Sequence, residues 1–388
     1  MTEVALIDSA ARVTGYQLRT PPALKRPESP SRSRSRIAFA AAHVVPRATA
    51  ENVPGAPADL DWDATLAFRR HLWSWGLGVA DAMDTAQRNM GLDAAATREL
   101  IARSAAEAAS VGGALVVGVN TDHLTEEVLS LSEIVDAYVA QLHYAEDRGA
   151  GVVLMASRHL SRIATSAADY EKVYREVLAR AGAPVVLHWL GEAFDPQLAG
   201  YFGAEADATV LRIVHQNADK VRGIKMSLLD PGREIALRAR LPHGVRLFTG
   251  DDYHYVSLIE GDGQAHSDAL LGAFAAVAPL AATALQALDA DDSAEYRRVL
   301  EPTEALARHL FAAPTAFYKT GVAFLSWLNG HQPAFAMAGG LHAARSLPHL
   351  SAALRLADEA GALTDPELAA RRWTSLLAVH GLDDRVPA

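Results

Sequence analysis

The stretch VRGIKMSLLD, residues 221–230, places a lysine inside an apolar run. Desolvation there disfavours the ammonium and leaves a neutral amine, which is a nucleophile. A neutral amine can attack a substrate carbonyl. The resulting iminium is an electron sink for carbon–carbon cleavage, condensation or dehydration. Lysine is scarce in this chain. Only Lys25, Lys172, Lys220, Lys225 and Lys319 occur among 36 basic residues, so Lys225 is not one of many surface cations. Two bland readings stand beside this one. A lysine near a strand end can snorkel its ammonium to water, or it can pair with a carboxylate such as Asp251.

Other polar residues recur just after short apolar runs. They are His43; Asp84, Thr85, Gln87, Arg88 and Asn89; Asn120, Asp122 and His123; Ser157, Arg158 and His159; His188; Ser227; and Gly250, Asp251, Asp252 and His254. His188 is the best proton shuttle, because imidazole titrates near working pH. Arg158 can hold an anionic group. Asp122, Asp252 and Ser227 could equally be helix caps. Asp122, His123, His188, Asp251 and His254 form an oxygen and nitrogen set compatible with a divalent metal. That alternative implies a sugar isomerase, lyase or hydrolase, but no HxH or HExxH motif supports it. A non-catalytic binding barrel is a further alternative.

The elements that position these residues follow a rhythm. Strands are expected at 37–45, 78–83, 114–119, 151–156, 184–189, 222–227, 245–250 and 263–267, with amphipathic helices between them, as at 95–110 and 169–182. Continuous apolar strands alternating with helices imply a parallel sheet covered on both faces. Eight such units point to an α/β fold, a (β/α)8 TIM barrel, whose reactive groups gather at the carboxyl ends of the strands. No GxGxxG turn favours an open dinucleotide-binding sheet. Residues 1–36 read as an N-terminal hairpin and a polar linker, 37–290 as the barrel, and 291–388 as a helical C-terminal extension. In that extension Phe324, Trp327, Phe335 and Trp373 suit internal packing or a subunit face, and self-association to a homo-oligomer is expected.

Half of the residues are hydrophobic, enough for a large core, and the net charge is −10 with no basic stripe. Nucleic acid is therefore an unsuitable partner. The absence of cysteine excludes disulfides and thiolate chemistry. No apolar run approaches a membrane span, and the first residues do not read as a secretory signal. The cytoplasm is the default compartment. No cofactor is called for, and the expected partner is a small-molecule carbonyl substrate.

Residues 222–227 (RGIKMS) resemble the Gly-Ile-Lys strand of the dihydrodipicolinate synthase and N-acetylneuraminate lyase superfamily, whose lysine forms a Schiff base. Asp84–Arg88 with Leu92 falls where that superfamily has a Gly-Thr-Thr-Gly-Glu loop and a later leucine. The LFTGDD run ending at Asp252 is similar to its Gly-Asp strand 7, and the resemblance spans about Ile37 to Leu363. Some stretches are closer to a dihydrodipicolinate-synthase-like bacterial branch of no stated function. The resemblance implies a Schiff-base lyase, aldolase or dehydratase acting on an oxo-acid or oxo-sugar. Lys225 and His188 would be catalytic. Asp84, Thr85, Gln87, Asn120, Asp122, Arg158, His159, Gly250 and Asp251 would contact substrate. The departures are specific. Ala86 replaces the second threonine, and Gln87 and Arg88 replace the glycine and glutamate. His188 replaces the catalytic tyrosine, Arg158-His159 replaces a tyrosine pair, and Ala193 stands where an arginine follows. Dihydrodipicolinate synthesis itself is therefore not expected.

Overall fold

A computed structural model describes residues 2–27, 32–125 and 130–382. Two short strands open the chain. Strand β1 (Glu3–Ile7) pairs antiparallel with β2 (Val13–Gln17), from Glu3 opposite Gln17 to Ile7 opposite Val13. The Asp8 carboxylate makes the turn by accepting the Ala10 and Arg12 N–H groups at 2.9 and 3.0 Å.

Eight parallel strands then close a barrel. They are β3 (Ala38–Ala41), β4 (Gly78–Asp81), β5 (Leu115–Val119), β6 (Gly151–Met155), β7 (Val185–Leu190), β8 (Val221–Ser227), β9 (Arg246–Thr249) and β10 (Asp268–Leu271). Each pairs with the next, and β10 returns to β3, as expected for a TIM barrel. Side chains alternate across the sheet. Phe39, Ala80, Val153, Val186, Phe248 and Leu270 meet in the interior. Val117, Leu154, Leu187 and Ile224 face outward into the layer shared with the helices.

The eighth strand is not where the sequence pattern put it. Residues 263–267 belong to a turn, in which Gly261 and Gly263 both take φ +83°. The Asp262 carboxylate accepts the N–H groups of Gln264 and Ala265 at 2.9 and 2.8 Å. The strand is the next run, Asp268–Leu271. A four-residue strand buried on both faces has no alternation to betray it. The helix expected to run to Gly182 stops at Leu178, with Ala179 as its last cap.

Beyond the barrel lie helices Ser293–Leu310, Tyr318–Leu328, Leu347–Glu359 and Pro366–Val379. The N-terminal hairpin packs onto the last two of these. Trp373 Nε1 donates to the Ala5 carbonyl at 2.7 Å, and Ile7 N–H donates to Ser351 Oγ at 2.8 Å. Trp373, Phe324 and Trp327 are buried within the chain, and Phe335 stacks on Trp327 at 5.7 Å. The aromatic residues considered for a subunit face therefore pack internally. The polar linker is anchored at Ser33–Ser35 while Arg32 and Arg34 stay exposed. Ser33 Oγ, Ser35 Oγ and the backbone N–H groups of Arg34 and Ser35 all donate to the Asp289 carboxylate. Residues 28–31 of that stretch lie outside the described residues. No helix among the described residues is long and apolar enough to cross a membrane.

One buried carboxyl gives the fold a pH signature. Glu234, on helix Pro231–Arg238, accepts hydrogen bonds from Ser267 Oγ at 2.7 Å and Thr249 Oγ1 at 3.1 Å. Burial pushes its pKa up from 4.5 to about 8, against the pull of those bonds. The folded state thus binds a proton that the unfolded chain has released above 4.5. Its contribution is full below that pH and is lost as pH rises through about 8. Glu234→Gln removes the titration and keeps the shape. The melting temperature of Glu234→Gln relative to wild type should climb between pH 5 and pH 9. Parallel pH profiles would refute this assignment.

Candidate active site at the carboxyl end of the barrel

Strand β8 carries the central residue. Its outward side chains Ile224 and Met226 join the outer apolar layer, so Gly223, Lys225 and Ser227 face inward. Gly223 has no room for a side chain, since a Cβ there would lie 2.8 Å from the Phe248 ring. Lys225 lies opposite His188 on β7 and Phe248 on β9. It is two residues from the carboxyl end of its strand, the end where barrels of this type place their chemistry. Gly250 gives it space. A Cβ at position 250 would lie 2.1 Å from Ser227 Oγ and 2.9 Å from Lys225 Cε.

Lys225 is 7 % exposed. Among the described residues it makes no hydrogen bond or salt bridge, so pairing with Asp251 does not describe it. Asp251 instead accepts from the backbone of Tyr253 and His254 and pairs with the His254 ring at 3.1 Å. Burial lowers the pKa of Lys225, while the charges of Asp84 and Asp252 act against that shift. Burial raises the Asp252 carboxyl, which accepts the Ala273 N–H at 2.8 Å.

His188 is fully buried. Its Nε2 shares a 3.2 Å hydrogen bond with Ser227 Oγ, and its Nδ1 has no partner. Desolvation, then the Lys225 charge, pushes its pKa well below 6.5. The imidazole therefore stands neutral at working pH. It can relay a proton between its two nitrogens, but it does not titrate near neutrality as its residue type alone suggested.

The loop after β4 closes against the C-terminal helices. Thr85 Oγ1 and Tyr318 OH share a 2.7 Å hydrogen bond. Tyr318 stacks on Phe311 at 4.2 Å, in a slot kept open by Gly272, where a Cβ would sit 3.0 Å from the Tyr318 ring. Asp84 and Asp252 both raise the pKa of Tyr318, though less than burial does. Gln87 adopts φ +65° and its amide is engaged: Nε2 donates to Ala338 O at 2.8 Å, and Oε1 accepts Ala338 N–H at 3.2 Å.

A second group gathers after β5 and β6. Asn120, Asp122, Arg158 and His159 line a cavity of about 210 Å3 together with Asn89 and Arg162. Arg158 Nε donates to Asp195 at 2.6 Å, and His159 Nδ1 meets Thr121 Oγ1 at 2.9 Å. Asp122 is paired with Arg88, whose Nε lies 2.8 Å from its Oδ2. Lys225 is not part of that lining. Of the sequence-predicted residues, His188 lies opposite Lys225 in the strand register, Gly250 packs against it and the charge of Asp84 acts on it, while Asn120, Asp122, Arg158 and His159 line the separate cavity. Thr85 is engaged by Tyr318, Gln87 by Ala338 and Asp251 by His254.

The candidate metal ligands do not meet. Asp122 is held by Arg88, Asp251 by His254 and His188 by Ser227, and His123 Nδ1 lies 2.6 Å from Gln141. Among the described residues, no three His, Asp or Glu side chains converge on a point that could hold a metal ion. Sequence reasoning left Tyr318 and Lys319 out of the site, and it gave Asp252 and Ser227 capping as an equal alternative. Lys319 carried the same signal as Lys225, a rare lysine in apolar surroundings.

A family model described as "Protein of unknown function (DUF993)" matches residues 4–382. No curated protein matches the sequence. Solved structures of the dihydrodipicolinate synthase type share the fold. A putative dihydrodipicolinate synthetase from Pseudomonas aeruginosa superposes with a TM-score of 0.64 at 17% identity, covering 84% of this chain and 99% of that one. Dihydrodipicolinate synthase from Bacteroides thetaiotaomicron gives 0.62 at 17% identity, over 82% and 98% of the two chains. The Thermotoga maritima enzyme gives 0.62 at 15% identity, over 85% and 100%. At these identities the likeness is one of fold.

Proposed function

The chain belongs to the family described as "Protein of unknown function (DUF993)", and from that premise and the site's geometry we propose that it is a class I aldolase-like lyase that forms a Schiff base through Lys225. One observation carries the reading. Lys225 is buried on the inner face of β8, near its carboxyl end and opposite His188, and no anion is bonded to it among the described residues. Burial of this kind shifts a lysine toward its neutral amine. The shared fold with dihydrodipicolinate synthase-type proteins supports the same class. The metal-dependent alternative has no converging ligand set to support it.

The chemistry follows from the placement. Neutral Lys225 Nζ adds to the substrate carbonyl carbon. The carbonyl oxygen takes one proton from the amine and one from the site, and leaves as water. The nitrogen keeps one proton and carries the positive charge of the iminium. For carbon–carbon cleavage, the β-hydroxyl of the substrate then gives up its proton to the site and its fragment leaves as an aldehyde or ketone, the electron pair of the broken bond passing toward that nitrogen to give an enamine; reprotonation at carbon and hydrolysis by one water then free the second product and the lysine. His188 and Ser227 form a neutral relay for these protons. Tyr318 and Thr85 supply a second hydroxyl pair. The substrate is an oxo-acid or oxo-sugar. Dihydrodipicolinate synthesis is not the proposed reaction, because Ala86, Gln87 and His188 replace the groups it would use, and the Gln87 amide is engaged with Ala338.

The test uses exchange of protons next to the carbonyl, which the enamine makes labile. Proton NMR in D2O with a panel of oxo-acids and oxo-sugars should reveal protein-dependent exchange. Its rate should rise with pH through a midpoint below the ~10.4 of free lysine. A midpoint at or above that value would show that Lys225 is not kept as an amine.

A further inference from the structure

Lys319 is a second lysine buried near the same group. It lies in the first turn of helix Tyr318–Leu328 and is 2 % exposed. Its Nζ has a single hydrogen-bonding neighbour among the described residues, the Met90 thioether at 3.2 Å. A thioether is a weak acceptor, and the Tyr318 ring face, 5.1 Å from the amine, adds a cation–π contact, so no anion is bonded to this buried ammonium among the described residues. Such a group is costly unless an anion completes it. Burial lowers the Lys319 pKa to about 8, so at pH 7 it is still mainly an ammonium.

Its surroundings connect the two groups described above. Asp84, whose charge acts on Lys225, also acts on Lys319, and so do Arg158 and its partner Asp195. Arg158 lines the 210 Å3 cavity, as does Asn89, the residue before Met90. Lys319 is thus tied by Met90 to the loop whose Asn89 lines a cavity with two arginines, and it shares the field of Asp84 with Lys225. The start of its helix adds partial positive charge. Among the described residues no histidine or serine is hydrogen-bonded to its amine, and with its pKa at about 8 its chemistry at pH 7 is that of a cation.

We propose that Lys319 binds the acid group of the substrate whose carbonyl reaches Lys225, so that the substrates are oxo-acids and not neutral oxo-sugars. The carbonyl half of this statement rests on the Schiff-base reading; the acid half does not. A carboxylate and a phosphate monoester both fit a buried ammonium beside an arginine.

Titration calorimetry separates the possibilities, with pyruvate as the carboxylate probe, dihydroxyacetone phosphate as the phosphate probe and hydroxyacetone as the neutral one. Wild type should bind one charged probe at least about ten times more tightly than hydroxyacetone, and the preferred probe identifies the acid group. Lys319→Met should lose that preference while binding hydroxyacetone unchanged, and Lys319→Arg should recover part of it. Lys319→Gln is a second neutral replacement if the methionine variant does not fold. Lys225→Met should keep the charge preference. Equal binding of charged and neutral probes by wild type would overturn the proposal, and so would a preference that survives in the neutral Lys319 variants. If the charge preference is intact but wild type never forms a borohydride-stable adduct, the Schiff-base reading alone is wrong.

Discussion

Lys225→Arg is expected to abolish covalent capture of carbonyl substrates and to lower carbonyl-dependent proton exchange by on the order of 10³ or more, as loss of a covalent nucleophile does. A guanidinium stays protonated and cannot form an imine. Arginine also brings an obligatory charge to a site that is only 7 % exposed, so Lys225→Met is the companion variant. It matches the stem in shape and removes the amine. Both should lose exchange, and Lys225→Met should melt at or above the wild-type temperature, because an unpaired buried amine is replaced by an apolar group. Retained exchange in a folded Lys225→Met protein would place the nucleophile elsewhere, and Lys319 would be the first place to look.

His188→Phe is expected to keep the barrel and lower proton exchange by about 10²–10⁴, the usual contribution of a positioned acid–base group. The ring occupies a fully buried site between Met155 and Lys225 in the strand register, and its one hydrogen-bond partner among the described residues is Ser227. The imidazole is neutral, so the loss should be similar across pH 6–8. A titrating base would instead impose a histidine-like limb on that profile. Because Lys225 itself supplies the attacking amine and one of the two protons the departing water needs, the variant should still form some borohydride-stable adduct, more slowly than wild type. Exchange at the wild-type rate would leave the proton transfers to Thr85 and Tyr318.

Much of this site was legible from local composition. A rare lysine between Ile224 and Met226 marks an inward position on a buried strand, and the polar residues after each apolar run mark the reactive end of a barrel. The eighth strand was not legible, because Asp268–Leu271 is short, buried on every residue and indistinguishable in composition from the alanine-rich helix that follows. The contribution of the C-terminal region was hidden for a different reason. Tyr318 and Lys319 reach Thr85 and Met90 across more than 200 residues of chain, and no periodicity reports such a contact. Burial was the third unreadable quantity. The sequence places a histidine beside the lysine strand, but only the packed structure removes its solvent and with it the charged form. Gln87 illustrates the same limit: its residue type suggests a substrate contact, whereas its amide ties the loop to Ala338.

The most direct test is borohydride reduction of wild-type protein in the presence of oxo-acids, followed by intact mass and peptide mapping. The account predicts one substrate-derived adduct per chain, located on Lys225 and absent from Lys225→Met. No adduct with any member of the panel, or an adduct mapped to Lys319 or to a surface lysine, would contradict it.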